Sequence, residues 1–129
     1  MTVTKKRKIG DLGENIVCNF LVKRGFMILD RNYRKKWGEI DIVVQKNKIV
    51  HFIEVKTVSR ETSYKPEENV HLWKLKRMSR AIQTYLIEKN SYLPADKEGE
   101  TEWQIDVAAV FLDLNNKKAK IRMTENVIM

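Results

Sequence analysis

The chain has 129 residues, 33% of them charged and 43% hydrophobic, a composition that fits one soluble globular domain with a core of its own and leaves no linker to divide it. A net charge of +8, from 25 basic and 17 acidic residues, favours a polyanionic partner such as nucleic acid or an anionic membrane surface. No apolar run of about 18 residues occurs, which excludes a membrane-spanning helix, and the single cysteine, Cys18, excludes an intramolecular disulfide and a thiolate zinc cluster.

The basic segment Thr4-Lys5-Lys6-Arg7-Lys8 is followed by no apolar signal core, so secretion is not expected, and a cytoplasmic, reducing compartment suits the lone thiol. Residues 1–8 read as a flexible basic arm, able to touch phosphate or to pass for a nuclear-import motif. Over residues 9–24, Ile9, Leu12, Ile16, Val17, Phe20 and Leu21 recur at helical spacing, with Gly25 as the stop beyond the helix end. A strand follows over 26–33, then a basic loop, Arg34-Lys35-Lys36-Trp37-Gly38. Residues 39–44 and 49–58, rich in Ile, Val and Phe, flank the polar Gln45-Lys46-Asn47-Lys48 and predict an antiparallel hairpin. The polar stretch 59–68, with Pro66, is a surface loop. A second helix is expected over 69–88 with Leu72, Leu75, Met78, Ile82, Tyr85 and Leu86 as its apolar stripe, while Lys74, Lys76, Arg77 and Arg80 fall largely outside it. A buried strand over 103–114, a turn at Asn115-Asn116 and a short strand over 119–123 complete a single domain, 1–129. The element order is α-β-β-β-α-β-β, hence α/β with a mixed sheet packed by helices.

The hairpin carries the chemistry. If Asn47-Lys48 is a two-residue loop, Asp41 faces Glu54; if the loop is Lys46-Asn47, Glu39 faces Glu54 and Asp41 is diagonal to it. Any even-length loop keeps Asp41, Glu54 and Lys56 on one face. Opposed like charges destabilise a ladder by roughly 0.2 to 1 kcal/mol. A divalent cation between the carboxylates reverses that sign, and Mg²⁺ held by one or two carboxylates keeps sites for water and a phosphate oxygen. Lys56 would stand about 6 to 7 Å further along the same face, within reach of that water or phosphate. The plainer alternative is a solvated acidic pair with Lys56 as its ion-pair partner, but Val50 and Phe52 share the face of Glu54, and a buried charge needs a partner.

These residues and their order resemble the PD-(D/E)XK nuclease superfamily, and within it the YraN-like family of endonucleases related to Holliday-junction resolvases. The resemblance runs through Gly10-Asp11-Leu12-Gly13-Glu14, Gly25-Phe26, Arg31-Asn32-Tyr33-Arg34, Gly38-Glu39-Ile40-Asp41 and Phe52-Ile53-Glu54-Val55-Lys56-Thr57. It continues through Val70, Lys74, Lys76-Arg77 and residues 81–86 to Ile105-Asp106-Val107, covering nearly the whole chain. Ile40 stands where the superfamily name has proline, which is no ligand. The resemblance implies a restriction-endonuclease-like core and Mg²⁺ or Mn²⁺ held by Asp41, Glu54 and the Val55 carbonyl. Glu14 would be a direct or water-mediated metal contact, and Lys56 would orient or deprotonate the attacking water. It also implies DNA as substrate, branched or otherwise shape-defined; junction cleavage needs two paired sites, which a homodimer would supply. The rival function is a nucleic-acid-binding module that keeps the fold and turns nothing over. An anionic-membrane protein lacks an amphipathic helix free of core duties.

Other residues have two readings. Glu14 lies at the border of the apolar face of its helix, where a capping or solvent-facing role competes with a ligand role. Glu39 is a fourth acid or a solvated strand start. His51, on the face opposite Glu54, and His71 read as core-edge or helix-start residues. Asp106, inside a buried strand, requires a partner, for which a basic side chain suits better than a metal. Trp73 and Trp103 read as core, and Trp37 either packs its loop or stacks on a base. Arg34, Lys35, Lys36, Lys74, Lys76, Arg77 and Arg80 are the candidate phosphate contacts, with a merely solvated helix face as the alternative.

Overall fold

A computed structural model of the protein describes residues 5–59 and 72–127. Pro66 and its loop, and the helix start expected at 69–71 with Val70 and His71, lie outside the described residues. Helix α1 spans Lys5–Lys23, so Lys5 to Lys8 of the expected arm lie in its first turns, and residues 1–4 of it lie outside the described residues. Lys and Arg are good helix formers, and nothing between them and Ile9 breaks the run. The helix stops as Gly25 predicts. At φ 88° Gly25 adopts the left-handed conformation, its N–H donates to Val22 O (3.1 Å), and Phe26 N–H donates to Leu21 O (3.0 Å), which is a Schellman cap.

Strands β1 (Met27–Lys35), β2 (Gly38–Lys46) and β3 (Ile49–Val58) follow, then helix α2 (Leu72–Glu88), a single 3-10 turn at Asn90–Tyr92, and strands β4 (Glu102–Asp113) and β5 (Lys118–Thr124). The sheet keeps sequence order, β1-β2-β3-β4-β5, and only β3 and β4 are parallel. The long crossover between them carries α2, as parallel pairing requires. On one face α1 buries Val17, Cys18 and Leu21 against Ile42, Val44, Ile53, Ala108 and Val110. On the other, α2 buries Leu75, Met78, Ala81, Ile82 and Tyr85 against Ile40, Val43 and Phe52. The protein is therefore α/β, a five-stranded mixed sheet with helices on both faces.

Three residues expected inside are not. Leu12 is 41% exposed, Trp73 61% and Trp103 38%. Trp73 lies on the outer side of α2, and Trp103, next to the start of β4, covers Phe52 only with a ring edge at 5.7 Å.

Two features fix the geometry at the heart of the sheet. Asn47 (φ 52°) and Lys48 (φ 65°) both take the left-handed conformation, the type I′ turn whose twist suits a two-residue hairpin. Lys46 thus pairs with Ile49 and Val43 with Phe52, which selects the Asn47-Lys48 register over its rival. The helices also approach the sheet closely at glycine. A Cβ on Gly38 would overlap the backbone carbonyl of Arg77 in α2, and one on Gly13 would overlap the Thr57 hydroxyl in β3. Gly38→Ala should therefore cost about 1 to 3 kcal/mol, since a helix backbone cannot step aside. Gly13→Ala collides with the Thr57 side chain, whose Cβ at 2.9 Å lies too close as well as its hydroxyl, so adding Thr57→Gly, and not Thr57→Ala, should relieve the collision. Denaturant melts of the three variants check both expectations, and an unperturbed Gly38→Ala would contradict the close approach.

Candidate active site: a buried carboxylate pair beyond the last rung of the hairpin

The ladder between β2 and β3 ends at the Ile42 and Ile53 pair. One residue further, Asp41 and Glu54 stand opposite each other by register. There the Asp41 side chain takes the place of a ladder carbonyl, and Val55 N–H donates to Asp41 Oδ2 at 2.8 Å. The N–H and C=O of a strand residue point to the same side, so the Val55 carbonyl is also directed beyond the last rung. Glu54 alternates with Phe52 and faces α2, only 1% exposed. The two carboxyls lie close enough for each to shift the other's titration. Burial, then the charge of Asp41, pushes Glu54 up to about 8 against the pull of Lys74. Burial likewise raises Asp41, against the Val55 N–H.

Two further side chains join the pair. Lys74, in the first turn of α2, ion-pairs through Nζ with Glu54 Oε1, an oxygen to which no group among the described residues donates in good hydrogen-bond geometry. Burial opposes the Lys74 charge, but Glu54, then Asp41 and Glu39, hold its pKa above the ordinary value. Lys74 was expected among the outward phosphate contacts; it belongs to the site. The signal was in the sequence, because Lys74, Met78, Ala81 and Tyr85 form one helical stripe that is otherwise buried. From the other side of the sheet comes Glu14 of α1. Its Oε1 is buried and has no hydrogen-bond partner among the described residues. Burial, then the charge of Asp41, lifts Glu14 to about 7, with Arg31 and Arg34 pulling the other way. Lys56 is half-buried, on the face of Glu54 by strand alternation, and makes no hydrogen bond or ion pair among the described residues.

Among the described residues no group of three or more His, Cys, Asp or Glu side chains is gathered as a metal cage. The donor set is two carboxylates, with the Val55 carbonyl directed the same way and Glu14 as an outer acid. That set suits Mg²⁺, which takes one or two carboxylates and fills its octahedron with water and phosphate oxygens. The orphaned Glu14 oxygen and the raised carboxyls are what a site short of positive charge would show.

The remaining candidates are more ordinary. Arg34 pairs with Glu39 at 3.4 Å, leaving Glu39 a surface residue, and Lys35 pairs with Glu88 at 3.0 Å, which also accepts the Tyr33 hydroxyl. Lys36, Lys76, Arg77 and Arg80 are exposed, Arg77 reaching the Lys36 carbonyl at 3.5 Å. Trp37 donates through Nε1 to Thr84 Oγ1 at 3.0 Å, packing its loop onto α2. Asp106 has the partner that burial demanded. His51 Nδ1 lies 2.7 Å from Oδ2, and Gln104 Nε2 and Asn126 N–H donate to Oδ1. Burial raises the Asp106 pKa, but these bonds outweigh it and leave the carboxyl below its ordinary value, so this pair is structural. No helix among the described residues is long and apolar enough to cross a membrane.

Fold and site together define a class: a mixed α/β protein in which a buried acidic pair, flanked by lysines, closes the central hairpin. The sequence matches Uncharacterised protein family UPF0102 over residues 13–110. The chain belongs to that family, the one the YraN-like resemblance pointed to. It is 36% identical over 125 residues to a UPF0102 protein of Campylobacter hominis, covering 95% of this chain and 96% of the relative. It is 36% identical over 120 residues to one of Alkaliphilus oremlandii, covering 93% and 97%. A relative in Caldicellulosiruptor bescii is 31% identical over 123 residues, covering 93% and 96%.

Proposed function

We propose that the protein is a divalent-cation-dependent nuclease of the PD-(D/E)XK type, hydrolysing phosphodiester bonds in DNA, with branched or otherwise structured DNA as the preferred substrate. The observation that carries this reading is the contact between Asp41 and Glu54. Two buried carboxyls brought together repel unless they share a proton or a cation, and a protein that only had to fold would gain more from apolar residues there. Asp41 and Glu54 would hold Mg²⁺ or Mn²⁺, with the Val55 carbonyl as a third donor. When bound, such a cation offsets phosphate charge and makes water a better nucleophile at neutral pH. Lys56 orients the water that attacks phosphorus and places its ammonium against the charge that grows on the phosphoryl oxygens. Glu14 keeps the α1 side of the site acidic and can take up a proton, since its carboxyl titrates near neutrality.

One observation favours a second reading. The Lys74 to Glu54 ion pair neutralises the buried acid from within, as a purely structural pair would, and a nucleic-acid-binding module without turnover could be built that way. Purified protein incubated with single-stranded, duplex, flap and four-way DNA in Mg²⁺, Mn²⁺ or chelator separates the two. Cleavage that chelator stops supports the nuclease. Binding without cleavage under every condition leaves the module.

A further inference from the structure

Helix α2 packs chiefly on β2, with lesser contact to β1, and the β4–β5 half of the same sheet face has a different character. On β4, Ala108, Val110 and Leu112 belong to the core under α1, so Ala109 and Phe111 face the other way. Pairing carries this face outward. Lys56 stands opposite Ala109 and Ala109 opposite Arg122; Val58 stands opposite Phe111 and Phe111 opposite Lys120; Asp113 stands opposite Lys118. Met123 packs into the core under α1, which fixes the alternation of β5 independently. Lys118, Lys120 and Arg122 therefore form one exposed row on the face shared by Glu54 and Lys56. The Arg122 guanidinium lies over the Phe111 ring, 4.9 Å from its centroid. At the hairpin end the row borders an open groove of about 840 Å³, to which Lys5, Ser59, Lys118 and Lys120 contribute.

We propose that this row seats a nucleic-acid strand, whose phosphodiester backbone crosses β5 and β4 on its way to Glu54. The inference takes the nucleic-acid partner from the proposed function and assigns where on the protein it lies. Charge complementarity commits the surface to a polyanion, because the row adds three cationic side chains to a face that already carries Lys56 beside the acidic pair. Alternate residues of a strand are spaced about 6.8 Å apart, comparable with successive phosphates of an extended strand. On helix α2, Lys74 is ion-paired with Glu54 and Arg77 reaches a backbone carbonyl. The competing role for such a row is to keep edge strand β5 from pairing with another chain, which needs no ligand.

Salt dependence decides between them. Full-length protein in chelator would be titrated into fluorescent duplex and single-stranded DNA at several salt concentrations. The double variant Lys118→Ala/Lys120→Ala should weaken binding and flatten the slope of log affinity against log salt by about 1.8 for duplex, roughly 0.9 per lost phosphate contact. Adding Arg122→Ala should flatten it further, with a thermal melt to confirm folding. A control at exposed lysines on other elements, Lys23→Ala/Lys97→Ala, should keep the slope. A larger loss on single-stranded than on duplex DNA identifies a single strand as the occupant, and the reverse identifies duplex. An unchanged slope in the folded double variant, or no binding of either DNA by the parent protein, overturns the proposal. Cleavage does not enter the readout. A protein that binds through the row and cleaves nothing keeps the row and loses the nuclease reading.

Discussion

Asp41→Asn and Glu54→Gln should each remove metal-dependent cleavage while the protein stays folded, with a loss on the order of 10²- to 10³-fold or more, as for other preorganised electrostatic groups. An amide keeps the shape of the carboxyl and loses the charge that holds a cation. Stability should move the other way. Glu54 has a folded pKa of about 8, above its ordinary value of 4.5, so the folded chain binds a proton that the unfolded chain has released. Stability in chelator then falls as pH rises from about 4.5 to about 8. Glu14, at about 7, adds to the lower part of that window. Glu54→Gln removes the larger contribution, so its melting temperature in chelator should decline less between pH 5 and 8 than that of the parent. Mg²⁺ should restore part of the parent's loss at pH 8 and none of the variant's. Full cleavage by either amide variant at saturating DNA would sink the assignment of the site.

Lys56→Ala should lower single-turnover cleavage by about 10²- to 10⁴-fold, the range for a side chain that moves protons or stabilises developing charge. The Mg²⁺ concentration giving half-maximal rate should hardly change, because an ammonium does not ligate a cation. The contrast with Lys74 makes the expectation specific. Lys74 already has an anionic partner in Glu54, whereas Lys56 has none among the described residues. Titrating Mg²⁺ under single-turnover conditions separates the two effects. An unchanged maximal rate with only a higher Mg²⁺ requirement would show that Lys56 serves cation binding instead.

Much of this site was legible in one stretch of sequence. Strand β3 has the expected bounds, Ile49–Val58, because Ile, Val and Phe alternate there between unmistakable turn residues. Strict alternation then placed Asp41 and Glu54 together without knowledge of the rest of the fold. For Lys74 two signals conflict, since charge points it outward and its position in the helical stripe points it inward; a long side chain can cross an apolar face and still end on a carboxylate. Trp73 and Trp103 show the reverse, apolar character without burial. The parallel neighbour of β3 was not legible either, since periodicity says which residues share a face and not which strand lies next door. For the same reason the row on β5 emerged only when the β3–β4 and β4–β5 registers were known.

The Asn47-Lys48 turn has a consequence for what kinds of genetic change this protein can absorb. Residue identity at a tight turn is negotiable wherever the left-handed conformation is tolerated, but residue number is not. A single codon added to or removed from the hairpin, with β2 and the two-residue turn both held in place, would exchange the two faces of β3. Glu54 and Lys56 would then turn towards α1, with Val55 and Thr57 turned towards α2. Such an insertion alters no chemical group of the site and leaves every one of its residues in the chain. The lesion would be one of parity, and a point substitution at Asp41 or Lys56 could not repair it; a compensating deletion within the same hairpin could.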